Sequence, residues 1–157
     1  MIVQAVPHRG GETIVYYTNL LPMHMNGMIR LCSDDLRCIE KAMAFIDKNY
    51  QDKINAIQLS VEVTLSQRKL QAGFKLLTQL NVEQYINKVR MEKAMRLLEE
   101  NNEPLKLIAK HTGFKDASYF GRAFKKFTSM TPEQYRICNL PAFKSIHRPV
   151  QAYYDRN

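Results

Sequence analysis

Between Leu105 and Lys126 the chain sets Lys106, Lys110, Lys115, Arg122, Lys125 and Lys126 against a single carboxylate, Asp116, for a local net charge of +5. Cations gathered this way attract polyanions, and contacts to phosphates supply affinity and salt sensitivity but little sequence information. At helical spacing Ser118, Gly121, Arg122 and Lys125 share one face, while Phe120, Phe124 and Phe127 point inward from another. Earlier in the chain Arg68, Gln71, Ala72 and Lys75 stand apart in the same way from Leu70, Phe74 and Leu77. A helix with one face buried and the other short, polar and cationic has the chemistry that a duplex major groove admits.

Other chemistries find little support. No nucleophile, base and orienting acid can be assembled from the spacings, and no phosphate-cradling glycine loop or metal-ligand cluster appears, so neither enzymatic activity nor a cofactor is expected. The run MHMNGM, Met23 to Met28, offers thioethers and an imidazole suited to Cu(I). Methionines also fill gaps and touch partners, and no metal site is assigned. His111 precedes a turn and can cap carbonyls; His8 and His147 have no evident partner. Cys32, Cys38 and Cys138 form no C-x-x-C and no even framework, which points to a reducing compartment, with Cys38 buried beside Ile39.

The 157 residues have room for one domain or two small ones, and 45% hydrophobic content is ordinary for a globular protein. Lys and Arg outnumber Asp and Glu 23 to 15, a formal +8, so anionic partners are favoured. The start, MIVQAVPHRGGETIV, lacks a basic segment followed by a long apolar one, and no run reaches the roughly 18 apolar residues of a membrane span. A cytoplasmic protein with no membrane partner is expected.

The elements that must position the cationic faces follow from periodicity and caps. Residues 1–33 read as an arm punctuated by Pro7, Gly10, Gly11, Pro22 and Gly27, with Glu12 to Thr18 its one run suited to a strand. Ser33 or Asp34 can cap a helix with Leu36, Ile39, Met43, Ile46 and Tyr50 on its apolar face. A short helix near Ala56 to Val63 follows, then one capped by Ser66. Asn81, with Gln84 three residues on, opens a long helix to about Glu100. The scheme then restarts: a short helix from Pro104 to His111 stopped at Thr112-Gly113, another capped by Asp116, and a capping box at Thr131-Pro132-Glu133-Gln134. Phe74, Lys75, Thr78, Glu83, Gln84 and Tyr85 recur fifty positions later as Phe124, Lys125, Thr128, Glu133, Gln134 and Tyr135. Two copies are too few for a solenoid. Each is a helix-turn-helix followed by a capped helix. The linking helix, twenty positions from Asn81, spans roughly 30 Å, close to the 34 Å or so between successive major-groove segments on one side of a duplex. The repeat is therefore read as one groove-reading surface presented twice.

The run YINKVRMEKAMRLLEENNEPLKLIAKHTGFKDASYFGRAFKKFTSMTPEQYR resembles the DNA-binding domain of AraC/XylS-type transcriptional regulators, with similarity extending back to about Asp34. The carriers are the RMEKAMRLL pattern of Arg90 to Leu98, Ile108-Ala109, Gly113-Phe114, Tyr119-Phe120, Phe124-Lys125, Thr131-Pro132 and Tyr135-Arg136. The resemblance implies an all-α fold of two helix-turn-helix subdomains joined by a long linker helix, here with a short irregular or β-containing N-terminal arm. The divisions are an arm over 1–33, a DNA-binding domain over 34–137 (first helix-turn-helix about 34–80, linker helix 81–100, second about 101–137), and a tail over 138–157.

By the same resemblance, Gln67, Arg68, Gln71 and Ala72 would read bases in the first unit and Ala117, Ser118, Gly121 and Arg122 in the second. Arg pairs with guanine O6 and N7 and Gln with adenine N6 and N7, which singles out Arg68, Gln71 and Arg122. Lys75, Lys115, Lys125 and Lys126 look like phosphate contacts, and Arg90 a brace for the linker helix. The chain departs from the pattern at Thr64, where the family has Gly and a β-branched residue suits positive φ poorly, so a reshaped first turn is expected. Ala72 is shorter than usual, Gly73 weakens its helix by about 1 kcal/mol relative to Ala, and Gln79 and Ser129 sit near positions where the family often has Gly.

The implied function is sequence-specific, nucleoid-associated transcriptional regulation, by activation, with double-stranded DNA and RNA polymerase as partners. The arm is too short for a ligand-sensing domain. It can pair its strand with a second copy to form a homodimer, and the chain resembles compact members of the family or a fragment of a longer one. The alternative is a helical protein–protein adaptor on the same scaffold without specific DNA binding.

Overall fold

A computed structural model describes residues 2–7, 13–18, 29–100 and 102–139. Met23 to Met28, His8, His147 and the tail beyond Asn139 lie outside the described residues. The chain divides into two compact units, Met1–Val89 and Arg90–Asn157.

The first unit opens with three antiparallel strands, β1 (Ile2–Pro7), β2 (Thr13–Thr18) and β3 (Ile29–Leu31), in the order β1-β2-β3. Only β2 was legible beforehand. In β1, Gln4 and Ala5 dilute the apolar signal and Pro7 closes the strand at the edge of the sheet, where proline is tolerated. Three residues are too short to read as a strand, yet Ile29 and Leu31 are buried on either side of exposed Arg30, the two-residue period of a half-covered sheet. β2 is the central strand, paired with β1 from Ile2↔Thr18 to Pro7↔Thr13 and with β3 from Thr13↔Leu31 to Val15↔Ile29. The strand expected to pair with a second copy is thus engaged within the chain by β1 along its length and by β3 over Thr13–Val15.

Helices α1 (Ser33–Asn49), α2 (Ala56–Glu62), α3 (Gln67–Thr78) and the first part of α4 (Val82–Glu100) complete this unit. Cys32, not Ser33 or Asp34, is the N-cap of α1. Its backbone N–H donates to the Asp35 carboxylate, 2.9 Å away, because an acid at the third helical position can reach back over the helix start. Cys38 is half-buried and free rather than buried. Leu31, Ile39, Ile46, Leu59, Leu70, Phe74 and Val82 form the fully buried centre, and α3 packs against α1, α2, β1 and β3.

Two residues that looked like defects have structural roles. A Cβ on Gly73 would lie 1.8 Å from Ile39 Cδ1 and 2.6 Å from Cγ1, so the missing side chain is what lets α1 and α3 meet. The turn at Thr64 is not reshaped: Thr64 takes φ 54° where Gly113 in the second unit takes φ 80°. Both turns are closed by the same pair of backbone bonds, Thr64 N to Val61 O and Leu65 N to Ser60 O in one, Gly113 N to Lys110 O and Phe114 N to Ala109 O in the other. The first unit keeps the geometry at a strain of roughly 1–2 kcal/mol.

The second unit takes the rest of α4 with α5 (Leu105–His111), α6 (Ala117–Thr128) and α7 (Pro132–Asn139). Met91, Ala94, Leu98, Ile108, Ala109, Phe114, Phe120 and Phe124 are its core. The inward assignments of Leu77 and Phe127 do not hold. Each is 47% exposed, because both lie in the last turn of their helices, past the end of the core.

The recurring residues build a corner, once per unit. Phe74 meets Tyr85 edge-on at 5.2 Å, and Phe124 meets Tyr135 at 5.5 Å, contacts worth about 0.5–1.5 kcal/mol beyond area burial. Thr78 and Thr128 hydroxyls donate to the Phe74 and Phe124 carbonyls and accept from the N–H groups of Leu80 and Met130. Gln79 and Ser129 end their helices at φ 61° and 65°. Asn81 with Gln84 and Thr131 with Gln134 then start the next helix through reciprocal boxes of 2.8–3.2 Å.

Candidate nucleic-acid interface

Helix α6 is amphipathic by construction. Asp116 caps it, accepting from Tyr119 N at 2.5 Å, and Phe120 and Phe124 anchor it in the core. What remains outside is Ala117, Ser118, Tyr119, Arg122, Lys125, Lys126 and, in the last turn, Phe127, all exposed, with Gly121 half-buried and nothing within 4 Å of where its Cβ would be. Of the expected cluster, Ser118, Arg122, Lys125 and Lys126 therefore lie on one free helix face with Gly121 at its edge, while Ala117, exposed in the first turn, is turned about 140° from Arg122. Lys115 is exposed just before it, in the turn. The loop from Gly113 to the Asp116 cap is one residue longer than that from Thr64 to the Ser66 cap, so the second unit carries a cation at the helix entrance where the first has room for none.

The base of α6 is stiffened from α4. The Arg90 guanidinium sits over the Phe114 ring at 5.7 Å, and burial lowers its pKa from the usual value. Phe114 in turn touches Phe120 at 5.4 Å and Tyr119 at 6.1 Å. Arg90 thus acts inside the unit, as a brace. The Tyr135 hydroxyl donates to Glu99 at 2.6 Å; burial first, then that carboxylate, push its pKa up to about 12. Arg136 donates to the Glu103 carbonyl at 2.5 Å, fixing α7 to the segment before α5. His111 Nδ1 lies 3.3 Å from Glu103 Oε2, an acid partner where the sequence suggested capped carbonyls.

Helix α3 offers less. Gln67 and Arg68 are exposed in its first turn, after Ser66 accepts from Lys69 N at 3.3 Å. Ala72, expected to read a base, is fully buried in the first core and cannot reach one. Gln71 is half-buried, and its Oε1 accepts from Val82 N at 3.2 Å. That oxygen is therefore engaged in satisfying the first N–H of α4, which leaves its second lone pair and the Nε2 donors for the two-point match to adenine expected of Gln71 and ties the amide to the helix start. Lys75 is also half-buried, with Nζ donating to the Gln79 carbonyl at the helix end, 2.5 Å away. Lys69 donates to Asp35 at 2.7 Å. The tendency of burial to raise the Asp35 pKa is outweighed by its bonds to Lys69 and to Cys32, and the pKa is lowered.

Sequence reasoning passed over Tyr119, treating it only as part of a pattern. Its exposure of 53% beside a buried phenylalanine is visible only once the helix phase is fixed. Among the described residues no cluster of three or more His, Cys, Asp or Glu could hold a metal, and no helix is long and apolar enough to cross a membrane.

Residues 59–137 match the model of a family described as a helix-turn-helix domain. The transcriptional activator Btr of Bacillus subtilis is 38% identical over 90 residues, which are 57% of this chain and 17% of Btr. The C-terminal domain of the two-component response regulator yesN from Fusobacterium nucleatum is 34% identical, with a TM-score of 0.60 over 64% of this chain and 98% of that one. A transcriptional regulator from Chromobacterium violaceum, described as containing an AraC-type DNA-binding domain, shares the fold with a TM-score of 0.64 at 19% identity, over 67% of this chain and 94% of that one. The chain spans well under two thirds of several curated relatives, from 36% to 58% of their length in three of them.

Proposed function

This chain belongs to the helix-turn-helix family of AraC-type DNA-binding domains, and from that premise we propose that it is a sequence-specific DNA-binding regulator of transcription whose principal reading helix is α6. The observation that carries this reading is the exposed face of Ser118, Arg122, Lys125 and Lys126, opposite a buried Phe120 and Phe124. Arg122 is the base-reading side chain, through guanine O6 and N7, with Ser118 one turn before it on the same strip; Ala117 and Gly121 lie further round the helix. Lys115, Lys125 and Lys126 meet phosphates. The first unit contributes chiefly through Gln67 and Arg68, with Ala72 buried and Gln71 and Lys75 each holding one local hydrogen bond. Engagement of two neighbouring major-groove segments is supported by α4, whose 19 residues run about 28 Å. Activation, through contact with RNA polymerase, is proposed from the likeness to activators such as Btr.

Selection of bound duplexes from a random pool at two salt concentrations tests the reading. Two enriched boxes about one helical turn apart are expected, with the second-unit box better defined. Arg122→Ala should then cost roughly 1–3 kcal/mol on the selected duplex and relax preference at one base, whereas Lys125→Ala weakens all duplexes alike. A pool that yields no motif would leave the adaptor alternative standing.

A further inference from the structure

We propose that Tyr119 is an additional DNA-contact residue, its phenol hydroxyl donating to a phosphodiester oxygen on the wall of the groove that Lys126 faces. The inference rests on α6 being the reading helix. Successive helical residues turn by about 100°, and Arg122 then lies opposite the buried Phe120–Phe124 pair. On that wheel Ser118 and Lys125 lie about 40° and 60° to one side of Arg122, and Lys126 and Tyr119 about 40° and 60° to the other. The face therefore has a reading strip, Ser118 and Arg122, with a margin on each side. A major groove has phosphates on both walls, so a helix lying in it needs a donor at each margin. Lys125 serves one margin; Lys126 serves the other towards the helix end, and Tyr119 is the donor on that margin towards the helix start.

The side chain is prepared for this. Its ring leans on Phe114 at 6.1 Å and 42°, Phe114 is itself buried beneath Arg90, and the Tyr119 N–H is held by Asp116. A ring held on one face, with only two side-chain torsions, loses little entropy when its hydroxyl bonds. The matching position of the first unit is Lys69, whose ammonium is engaged by Asp35, so the contact belongs to the second unit.

A phenol brings a hydrogen bond without a charge, and that separates it from the lysines. Tyr119→Phe keeps the ring on Phe114 and removes only the hydroxyl. In the full chain we expect a loss of roughly three- to tenfold in affinity, equal on a selected duplex and on its scrambled form. The slope of log affinity against log salt and the melting temperature should not change. Lys126→Ala, in contrast, should flatten that slope by about 0.9. Unchanged affinity of Tyr119→Phe on both duplexes overturns the proposal, as does a loss confined to the selected duplex, which would put the hydroxyl on a base edge. If the unaltered chain binds no duplex, the reading-helix assignment itself fails and Tyr119 with it.

Discussion

Alanine at Gly73 and alanine at Gly121 are the same change at interior positions of two reading helices, and the structure gives them opposite signs. Within an α-helix Gly→Ala ordinarily gains about 1 kcal/mol. Gly121 has nothing within 4 Å of its Cβ site, so the full gain is expected there. At Gly73 the new methyl would sit 1.8 Å from Ile39 Cδ1 and 2.6 Å from Cγ1, and Ile39 is fully buried, with no solvent to move into. Overpacking a closed core costs about 1–3 kcal/mol, and displacing a buried isoleucine by more than an atomic radius belongs at the upper end. A net destabilisation of roughly 1–2 kcal/mol remains after the helical gain. Ile39→Val alone should cost about 0.5–1.5 kcal/mol, but it deletes Cδ1. The double variant should therefore be less damaged than the sum of its parts, by about 1 kcal/mol of coupling. Urea unfolding of the four variants and the parent chain, followed by far-ultraviolet circular dichroism, reads all of these. If Gly73→Ala is stabilised as much as Gly121→Ala, the close contact of α1 and α3 does not exist, and the account of Gly73 is refuted.

Thr64→Gly should stabilise the first turn by about 0.5–1 kcal/mol, the relief of a left-handed threonine less the chain entropy of glycine. Gly113→Thr should destabilise the second turn, and thermal melts compare the two. Tyr135 has a folded pKa of about 12, above its unfolded value, so its share of stability is complete below about pH 10 and is lost as pH rises through 12. Tyr135→Phe should flatten that alkaline limb, and in an absorbance titration of tyrosinate one late-ionising group should vanish. Asp35 is the opposite case: its folded pKa is lowered, so its stabilisation is full above the unfolded value of about 3.9 and disappears as pH falls through the lower folded one. Asp35→Asn should reduce the acid dependence of urea midpoints, and an unchanged acid limb would count against the Lys69–Asp35 link.

What the sequence disclosed best was punctuation. Ser66, Asn81, Asp116 and Thr131 each place one oxygen within reach of the N–H three residues on, a local relation that needs no knowledge of the fold. Cys32 escaped because a thiol is not an obvious cap and Ser33 and Asp34 beside it are. Gly73 and Thr64 were misread for a different reason: the penalty of each is local, while its cause, the Ile39 side chain or the closing bonds of the turn, comes from elsewhere. Ala72 was misassigned because helix phase alone says which residues share a face, not whether that face is covered. The recurring Phe, Thr, Gln and Tyr looked like a surface shown twice. They prove to be the joinery beneath it, and the residues proposed to read DNA differ completely between the copies, Gln67 and Arg68 against Ala117 and Ser118.

Helix α4 supplies Val82, Ile86 and Val89 to one core and Met91, Ala94 and Leu98 to the other. Starting a helix is costly and lengthening it is cheap. Whichever core assembles first thus hands its neighbour a template already wound, and the laggard needs only to extend it. The nucleation penalty is met once for the pair, so the halves are linked in folding order and in resistance to unravelling.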